Sequence, residues 1–162
     1  MPQRDDTDPR STLGAIEASI KLEVPFYDVD SYQIAWHGNY PKYFEQARGK
    51  CLEMIGHSYA EMEESGYLYP VVAMNLKYIH PLLYRQQIRV TATLVEWQHK
   101  LTFNYLIVDV LDGRRLTRGS TSQVAIAMPQ RITQIQSPEP LRRAVREHLE
   151  RVDEKHARAN AD

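Results

Sequence analysis

The sequence predicts an α+β domain in which one long helix lies against an antiparallel sheet. Between Asn39 and Gly56 the apolar residues recur at helical spacing, which indicates a helix with one buried face. From residue 71 to residue 128 the apolar residues instead alternate with polar ones, as is typical of strands. The connections between these strands are too short for crossover helices, so consecutive strands run antiparallel. One helix combined with such a sheet defines the α+β class.

The strands are predicted from alternation and from turn signals. The first covers residues 18–26, before the long helix. Asp112-Gly113 is a strong hairpin signal between the last two strands. The later strands are predicted at residues 71–79, 88–94, 101–107 and 116–128.

The long helix has recognisable ends. Asn39 is a favourable N-cap, Pro41 lies in the first turn, where its missing N–H costs nothing, and Gly56 is placed to end the helix. Residues 58–65 form a short, exposed, helical turn, and residues 141–156 form a charged helix with few apolar anchors. The apolar face of the long helix is predicted to contain Tyr40, Tyr43, Phe44, Ala47, Cys51, Met54 and Ile55.

Length and charge restrict the possible functions. With 162 residues, of which 43% are hydrophobic, the chain can build one domain. The predicted division is a disordered tail at 1–17, the folded domain at 18–129, and a linker with the charged helix or tail at 130–162. Lys+Arg (20) and Asp+Glu (21) nearly cancel, so no nucleic-acid or membrane partner is expected. The sequence has no apolar run long enough for a membrane-spanning helix and no basic, apolar leader. The single cysteine, Cys51, is predicted to be a buried structural thiol, which fits a cytoplasmic protein.

No metal or cofactor is expected. The six histidines show neither HExxH spacing nor pairing with cysteine, and the chain has no P-loop and no GxGxxG motif.

The chemistry is concentrated between the first strand and the helix. Phe26-Tyr27-Asp28-Val29-Asp30 is followed by Trp36-His37-Gly38-Asn39-Tyr40. A carboxylate, an imidazole and the positive end of a helix thus meet in one short loop. Those groups can attack a carbonyl and stabilise the charge that develops on its oxygen. The loop is therefore the candidate catalytic site.

These residues resemble the hotdog-fold thioesterases related to 4-hydroxybenzoyl-CoA thioesterase and to the Tol-Pal-associated acyl-CoA thioesterases. The resemblance is carried by Tyr27-Asp28-Val29-Asp30, by Trp36-His37-Gly38-Asn39-Tyr40 and by Glu45-Gln46-Ala47-Arg48. It implies a central helix wrapped by a curved antiparallel sheet of about five strands, and hydrolysis of an acyl-CoA or acyl-carrier-protein thioester to free acid and thiol. It also implies a homodimer or homotetramer, because two such sheets join edge to edge with the pocket between subunits.

The same resemblance assigns roles to individual residues. Asp30 matches the catalytic carboxylate, as general base or nucleophile, and the sequence leaves that choice open. His37 matches the position whose backbone N–H polarises the thioester carbonyl, and its side chain is a candidate for catalysis as well. Asp28 is predicted to be structural, and Glu45 is predicted to form a helix-surface ion pair with Arg48.

The loop departs from the family pattern after Asp30. Family members commonly have Asp-x-x-Gly or Asp-Ala-Gly-Gly, whereas this chain has Ser31-Tyr32-Gln33. The Gln-containing loop is similar to that of thioesterases of the aryl polyene biosynthesis type, which favours an acyl chain held on carrier protein.

The remaining candidates are substrate-binding residues. Tyr32 and Trp36 are predicted to line the acyl pocket, and Gln33 and Gly38 are further substrate-binding candidates. His80 and Arg85 could pair with the phosphates of CoA or phosphopantetheine. Two other functions remain open at this stage. One is a hydratase or dehydratase acting on acyl thioesters, and the other is a non-catalytic subunit that binds acyl thioesters.

Overall fold

The computed structural model describes residues 16–161. It contains a five-stranded antiparallel sheet, a three-stranded sheet of short strands and three α-helices within that range. The predicted disordered tail lies almost entirely outside the described residues. The elements in chain order are β1 (Glu17–Glu23), α1 (Tyr40–Met54), α2 (Tyr59–Glu64), β2 (Tyr67–Leu68), β3 (Val71–Tyr78), β4 (Gln87–Glu96), β5 (Leu101–Asp109), β6 (Arg115–Gln123), β7 (Ile126–Ala127), β8 (Ile132–Thr133) and α3 (Glu139–Ala159).

The main sheet has the strand order β1-β4-β5-β6-β3, and α1 packs against β1 and β4. This arrangement confirms the predicted α+β class and the number of strands. The strands β4 and β5 alternate between buried and less buried positions, so one sheet face forms the core with α1. β3 lies at one edge of the sheet, and every residue in it except Leu76 is exposed.

The buried face of α1 mostly follows the prediction. The Phe44 ring stacks on the Tyr105 ring with centroids 4.3 Å apart, and the ring fills the space that a Cβ atom at Gly119 would need. Met54 is an exception, because its side chain is 40% exposed. It is the last helical residue, and the buried positions of that turn belong to Cys51, Leu52 and Ile55.

Two predicted strand bounds are wrong. β1 ends at Glu23 instead of residue 26, because Pro25 leads into a 3₁₀ turn at Phe26–Asp28. The predicted strand at 116–128 is divided: β6 ends at Gln123, and β7 pairs with β2 and β8 in the second sheet. Asn39 occupies the predicted N-cap position of α1, but its side chain makes no capping hydrogen bond and donates instead to the Asp28 carbonyl.

The other helix boundaries agree well with the sequence. Gly56 has φ +74° just after α1, and Ser58 begins α2 with a capping box completed by Glu61. α3 extends slightly beyond the predicted range at both ends, and it is anchored in the core by Leu141 and Val145. None of the helices in residues 16–161 has the length and apolar character that a bilayer crossing requires.

Candidate functional site

The segment between β1 and α1 folds into a small hairpin that begins at Asp30. Val29 pairs with Ala35, and the Asp30 N–H donates to the Ile34 carbonyl at 3.0 Å. The Asp30 carboxylate accepts a hydrogen bond from the Tyr32 N–H at 2.8 Å. This hydrogen bond fixes the carboxylate, and because Asp30 is only half-buried, the residue remains accessible from the surface. The turn thus presents a carboxylate in a defined direction.

Gln33 adopts the backbone conformation that favours glycine. Its φ is +63°, and its N–H donates to the Asp30 carbonyl at 3.0 Å. This is the position at which Asp-x-x-Gly relatives have their glycine. The turn therefore has the left-handed backbone conformation at this position, and Gln33 adopts it at a steric cost that glycine would not have.

His37 lies at the other end of the hairpin, in the 3₁₀ turn His37–Asn39 that leads directly into α1. The start of a 15-residue helix carries partial positive charge, which favours a developing negative charge nearby. The His37 side chain is exposed, and no ion pair joins it to Asp30 within the described residues. The backbone of the hairpin holds both residues, with Asp30 at its turn and His37 where it leads into α1.

Asp28 ties this region to α1. Its buried carboxylate accepts from the Lys42 ammonium at 2.5 Å and from the Tyr43 hydroxyl at 2.7 Å. Burial, followed by the Asp28 carboxylate, raises the pKa of Tyr43, so the hydroxyl remains a donor. The Asp28 carbonyl accepts from the Trp36 N–H and from the Asn39 side chain, both at 2.8 Å. Lys42 and Tyr43 could not be predicted as partners of Asp28, because helical spacing indicates only which side of α1 each residue faces.

Trp36 covers the start of the helix. A Cβ atom at Gly38 would lie 2.2 Å from a carbon of the Trp36 ring, so the ring rests directly on Gly38. The Trp36 side chain is 50% exposed and that of Tyr32 is 81% exposed. Both are large apolar surfaces beside Asp30 and His37 that the single chain leaves uncovered.

His80 and Arg85 lie in the connection from β3 to β4, which packs against the hairpin. Ile34 bridges to Leu83, and the Ala35 N–H donates to the Leu82 carbonyl at 2.8 Å. The structure therefore places Arg85 close to the Asp30 turn. Both cationic candidates are exposed, and the Arg85 guanidinium lies 3.7 Å from the Glu23 carboxylate.

Two buried residues of α1, Arg48 and Cys51, have structural roles. Arg48 is buried and donates to the hydroxyls of Tyr59 at 2.9 Å and Tyr105 at 3.4 Å, with Glu45 3.9 Å away as predicted. Cys51 is a buried thiol, and burial raises its pKa to about 12. The predicted structural roles of Glu45 and Cys51 agree with these positions.

Comparison with known proteins identifies the family. The model of the thioesterase-like superfamily matches residues 24–152. A provisionally named acyl-CoA thioesterase of Bacillus subtilis (strain 168) is 34% identical over 77 residues, which are 48% of this chain and 53% of that protein. The chain thus aligns with about half the length of that relative. The family match extends over most of the described domain, and this chain belongs to the thioesterase-like superfamily.

Solved structures share the fold. DHNA-CoA thioesterase from Staphylococcus aureus superposes with a TM-score of 0.74 at 23% identity, covering 88% of this chain and 95% of that one. A variant of 4-hydroxybenzoyl-CoA thioesterase in complex with 4-hydroxybenzoyl-CoA gives a TM-score of 0.70 at 17% identity, covering 80% and 99%. These similarities confirm the hotdog fold predicted from the loop motif and the order of the elements.

Proposed function

We propose that this protein hydrolyses acyl-CoA thioesters to a free acid and the CoA thiol, with Asp30 and His37 at the reacting carbonyl. The observation that supports this most directly is the hairpin, which fixes the Asp30 carboxylate in its turn and leads straight into the start of α1. The family match supports thioester hydrolysis, and the names of the relatives favour CoA over a carrier protein as the thiol group.

Thioester hydrolysis requires one group that attacks the carbonyl carbon or activates water to do so, and one group that stabilises the negative charge on the carbonyl oxygen. In the general-base route, Asp30 removes a proton from water, the water oxygen bonds to the carbonyl carbon, and the C–S bond breaks to release a thiolate that takes up a proton. In the nucleophilic route, the carboxylate oxygen bonds to the carbonyl carbon and the C–S bond breaks, releasing a thiolate that takes up a proton. Water then cleaves the resulting anhydride to the free acid and the restored Asp30 carboxylate. Either route places negative charge on the carbonyl oxygen, where the His37 N–H and the helix dipole stabilise it. The His37 side chain would assist the water or the thiolate.

The surrounding residues suit the two ends of the substrate. Trp36, Tyr32, Gln33 and the backbone at Gly38 form a largely apolar wall for the acyl group. Arg85 and His80 lie on the exposed connection beside the turn, where phosphates of CoA would remain in solvent and gain charge pairing. Glu23 already shares the Arg85 charge, so Arg85 contributes less than an unpaired guanidinium would.

The functional unit is proposed to be a homodimer formed at β3, with a tetramer as the larger alternative. β3 is a sheet edge that exposes unpaired backbone groups together with Val72 (57% exposed), Met74 (46%) and Tyr78 (44%). A second copy pairing at this edge would bury those side chains and cover the open wall beside Asp30. Sedimentation should therefore give at least twice the 18.8 kDa chain mass, and a monomer would contradict this assembly.

The decisive experiment is thiol release from short, long and aromatic acyl-CoAs, with Asp30→Asn compared to wild type. A general base or nucleophile contributes at least about 10²-fold, so Asp30→Asn should lose that much in kcat while remaining folded. Asp153→Asn, an exposed carboxylate on α3, is the matched control and should keep full activity.

Other outcomes would change the assignment. Turnover of carrier-protein thioesters alone would move the substrate to carrier protein, as the Gln33-type loop suggests. Water addition to an enoyl thioester without thiol release would support a hydratase. Tight binding without turnover, unaffected by Asp30→Asn, would support a binding subunit. The cytoplasmic location remains a prediction from the sequence.

A further inference from the structure

Tyr78 joins the edge strand of the sheet to the segment that enters α1. Its hydroxyl donates a hydrogen bond of 2.8 Å to the backbone carbonyl of His37. Its ring packs edge-on against the ring of Tyr40, the first residue of α1, with centroids 4.8 Å apart. Tyr78 is the last residue of β3, so the contact connects a strand end directly with the candidate site.

The Trp36–His37 and His37–Gly38 peptide groups precede α1, and the carbonyl of each accepts a hydrogen bond. The Trp36 carbonyl accepts from the Asn39 N–H at 2.9 Å, and the His37 carbonyl accepts from Tyr78. Because the carbonyl and the N–H of a trans peptide point in opposite directions, the N–H groups of His37 and Gly38 point away from these partners. Within residues 16–161 neither N–H donates to another protein group. Both remain available to an acceptor on a bound molecule.

We propose that Tyr78 is a positioning residue: by holding the His37–Gly38 peptide, it directs the Gly38 N–H, beside that of His37, at the thioester oxygen. This inference rests on the proposed function and extends it by a second donor and by the residue that orients it. Accepting a hydrogen bond at the carbonyl polarises the peptide and makes its N–H a better donor. Donors fixed before the reaction are the ones that most stabilise a developing oxyanion. Tyr78 itself touches no reacting atom.

The kinetic test is Tyr78→Phe, which removes the hydroxyl and keeps the ring against Tyr40. We expect kcat for the best acyl-CoA to fall about threefold to tenfold, the rate equivalent of one neutral hydrogen bond. KM should stay within about twofold, since the lost support matters most in the transition state. The matched control is Tyr59→Phe, in which a tyrosine of similar overall exposure loses the hydroxyl that accepts from Arg48, and it should leave kcat unchanged.

Three kinetic results would overturn the positioning role. They are an unchanged kcat in Tyr78→Phe, a rise in KM alone, or an equal loss in both variants. Sedimentation of each variant accompanies the kinetics, because Tyr78 lies on the proposed dimer edge. A loss of activity that coincides with a change in oligomeric state would assign the effect to that edge and overturn the proposal as well.

A second readout does not depend on activity. In NMR spectra of labelled protein, Tyr78→Phe should shift the His37 carbonyl carbon and the Gly38 amide proton, whereas Tyr59→Phe should leave both in place. If wild type releases no thiol from any thioester, the proposed function is wrong, and these resonances still show whether Tyr78 holds the peptide. Resonances that do not move in Tyr78→Phe would overturn the positioning role even in an active thioesterase.

Discussion

The Tyr43 hydroxyl donates to the buried Asp28 carboxylate at 2.7 Å, and this contact fastens the hairpin to the first turns of α1. Lys42 reaches the same carboxylate from the solvent side, with half of its side chain exposed. Asp28 also offers its carbonyl to the Trp36 N–H. The first acid of the Asp-x-Asp pair thus has a structural role, whereas the carboxylate of the second accepts from the Tyr32 N–H in the turn of the hairpin.

Asp28→Asn should lower the free energy of unfolding by about 1–3 kcal/mol, because two donors would then share one acceptor oxygen in a buried position. Tyr43→Phe should cost about 1 kcal/mol, the contribution of one hydrogen bond. Urea unfolding of the single and double variants measures both effects. The double variant should lose less than the sum, since the two changes remove the same contact. Full additivity would contradict the described pairing.

Gln33→Gly should stabilise the chain by about 0.5–1 kcal/mol, because glycine accepts φ +63° without the steric cost that glutamine bears. Gly113→Ala provides the opposite control, since Gly113 has φ +72° in the turn between β5 and β6 and should lose a similar amount. Thermal or urea unfolding gives both values. A destabilised Gln33→Gly variant would mean that the glutamine side chain makes contacts worth more than the strain.

Gly38→Ala should displace the Trp36 ring, because the added methyl group would lie 2.2 Å from a ring carbon. We expect kcat/KM to fall at least about tenfold, since the ring and the neighbouring N–H groups move together. Near-ultraviolet circular dichroism would report the moved indole. Gly49→Ala, on α1 away from the loop, is the control and should retain activity. An active Gly38→Ala variant with an unchanged indole signal would show that the ring adapts easily.

The pH dependence of stability should include a term from His57. This buried side chain has a lowered pKa, mainly because burial disfavours its charged form, although nearby Glu61 acts in the opposite direction. Its folded pKa lies below its unfolded pKa of about 6.5, so the unfolded chain binds more protons in the window between them. Stability should therefore fall as the pH drops below about 6.5.

His57→Phe tests this term, because the buried His57 Nε2 has no hydrogen-bond partner in the described structure and a ring without nitrogen can replace it. The variant should show a weaker dependence of unfolding free energy on pH between about 5 and 7. The exposed His156 in α3 gives the control variant His156→Phe. An identical pH profile in wild type and His57→Phe would contradict the role assigned to burial.

The sequence predicted the elements that depend on local patterns. Helical spacing predicted α1, alternation predicted β3 to β6, and the helical turn expected at 58–65 is α2. The division of the last predicted strand could not be predicted, since it depends on β7 pairing with β2, far away in the chain. The same holds for Tyr78 and His37, whose contact spans 41 positions. Local spacing does not report such pairings.

Gly119 shows how closely α1 and the sheet approach each other. A Cβ atom at this position would lie 2.7 Å from the Phe44 ring and 2.6 Å from the Asn75 carbonyl of the edge strand. A larger residue at 119 would therefore require a smaller one at 44 together with a shift of β3. During sequence divergence these two positions should change together, so related chains with a side chain at 119 are expected to have lost the large aromatic ring at 44.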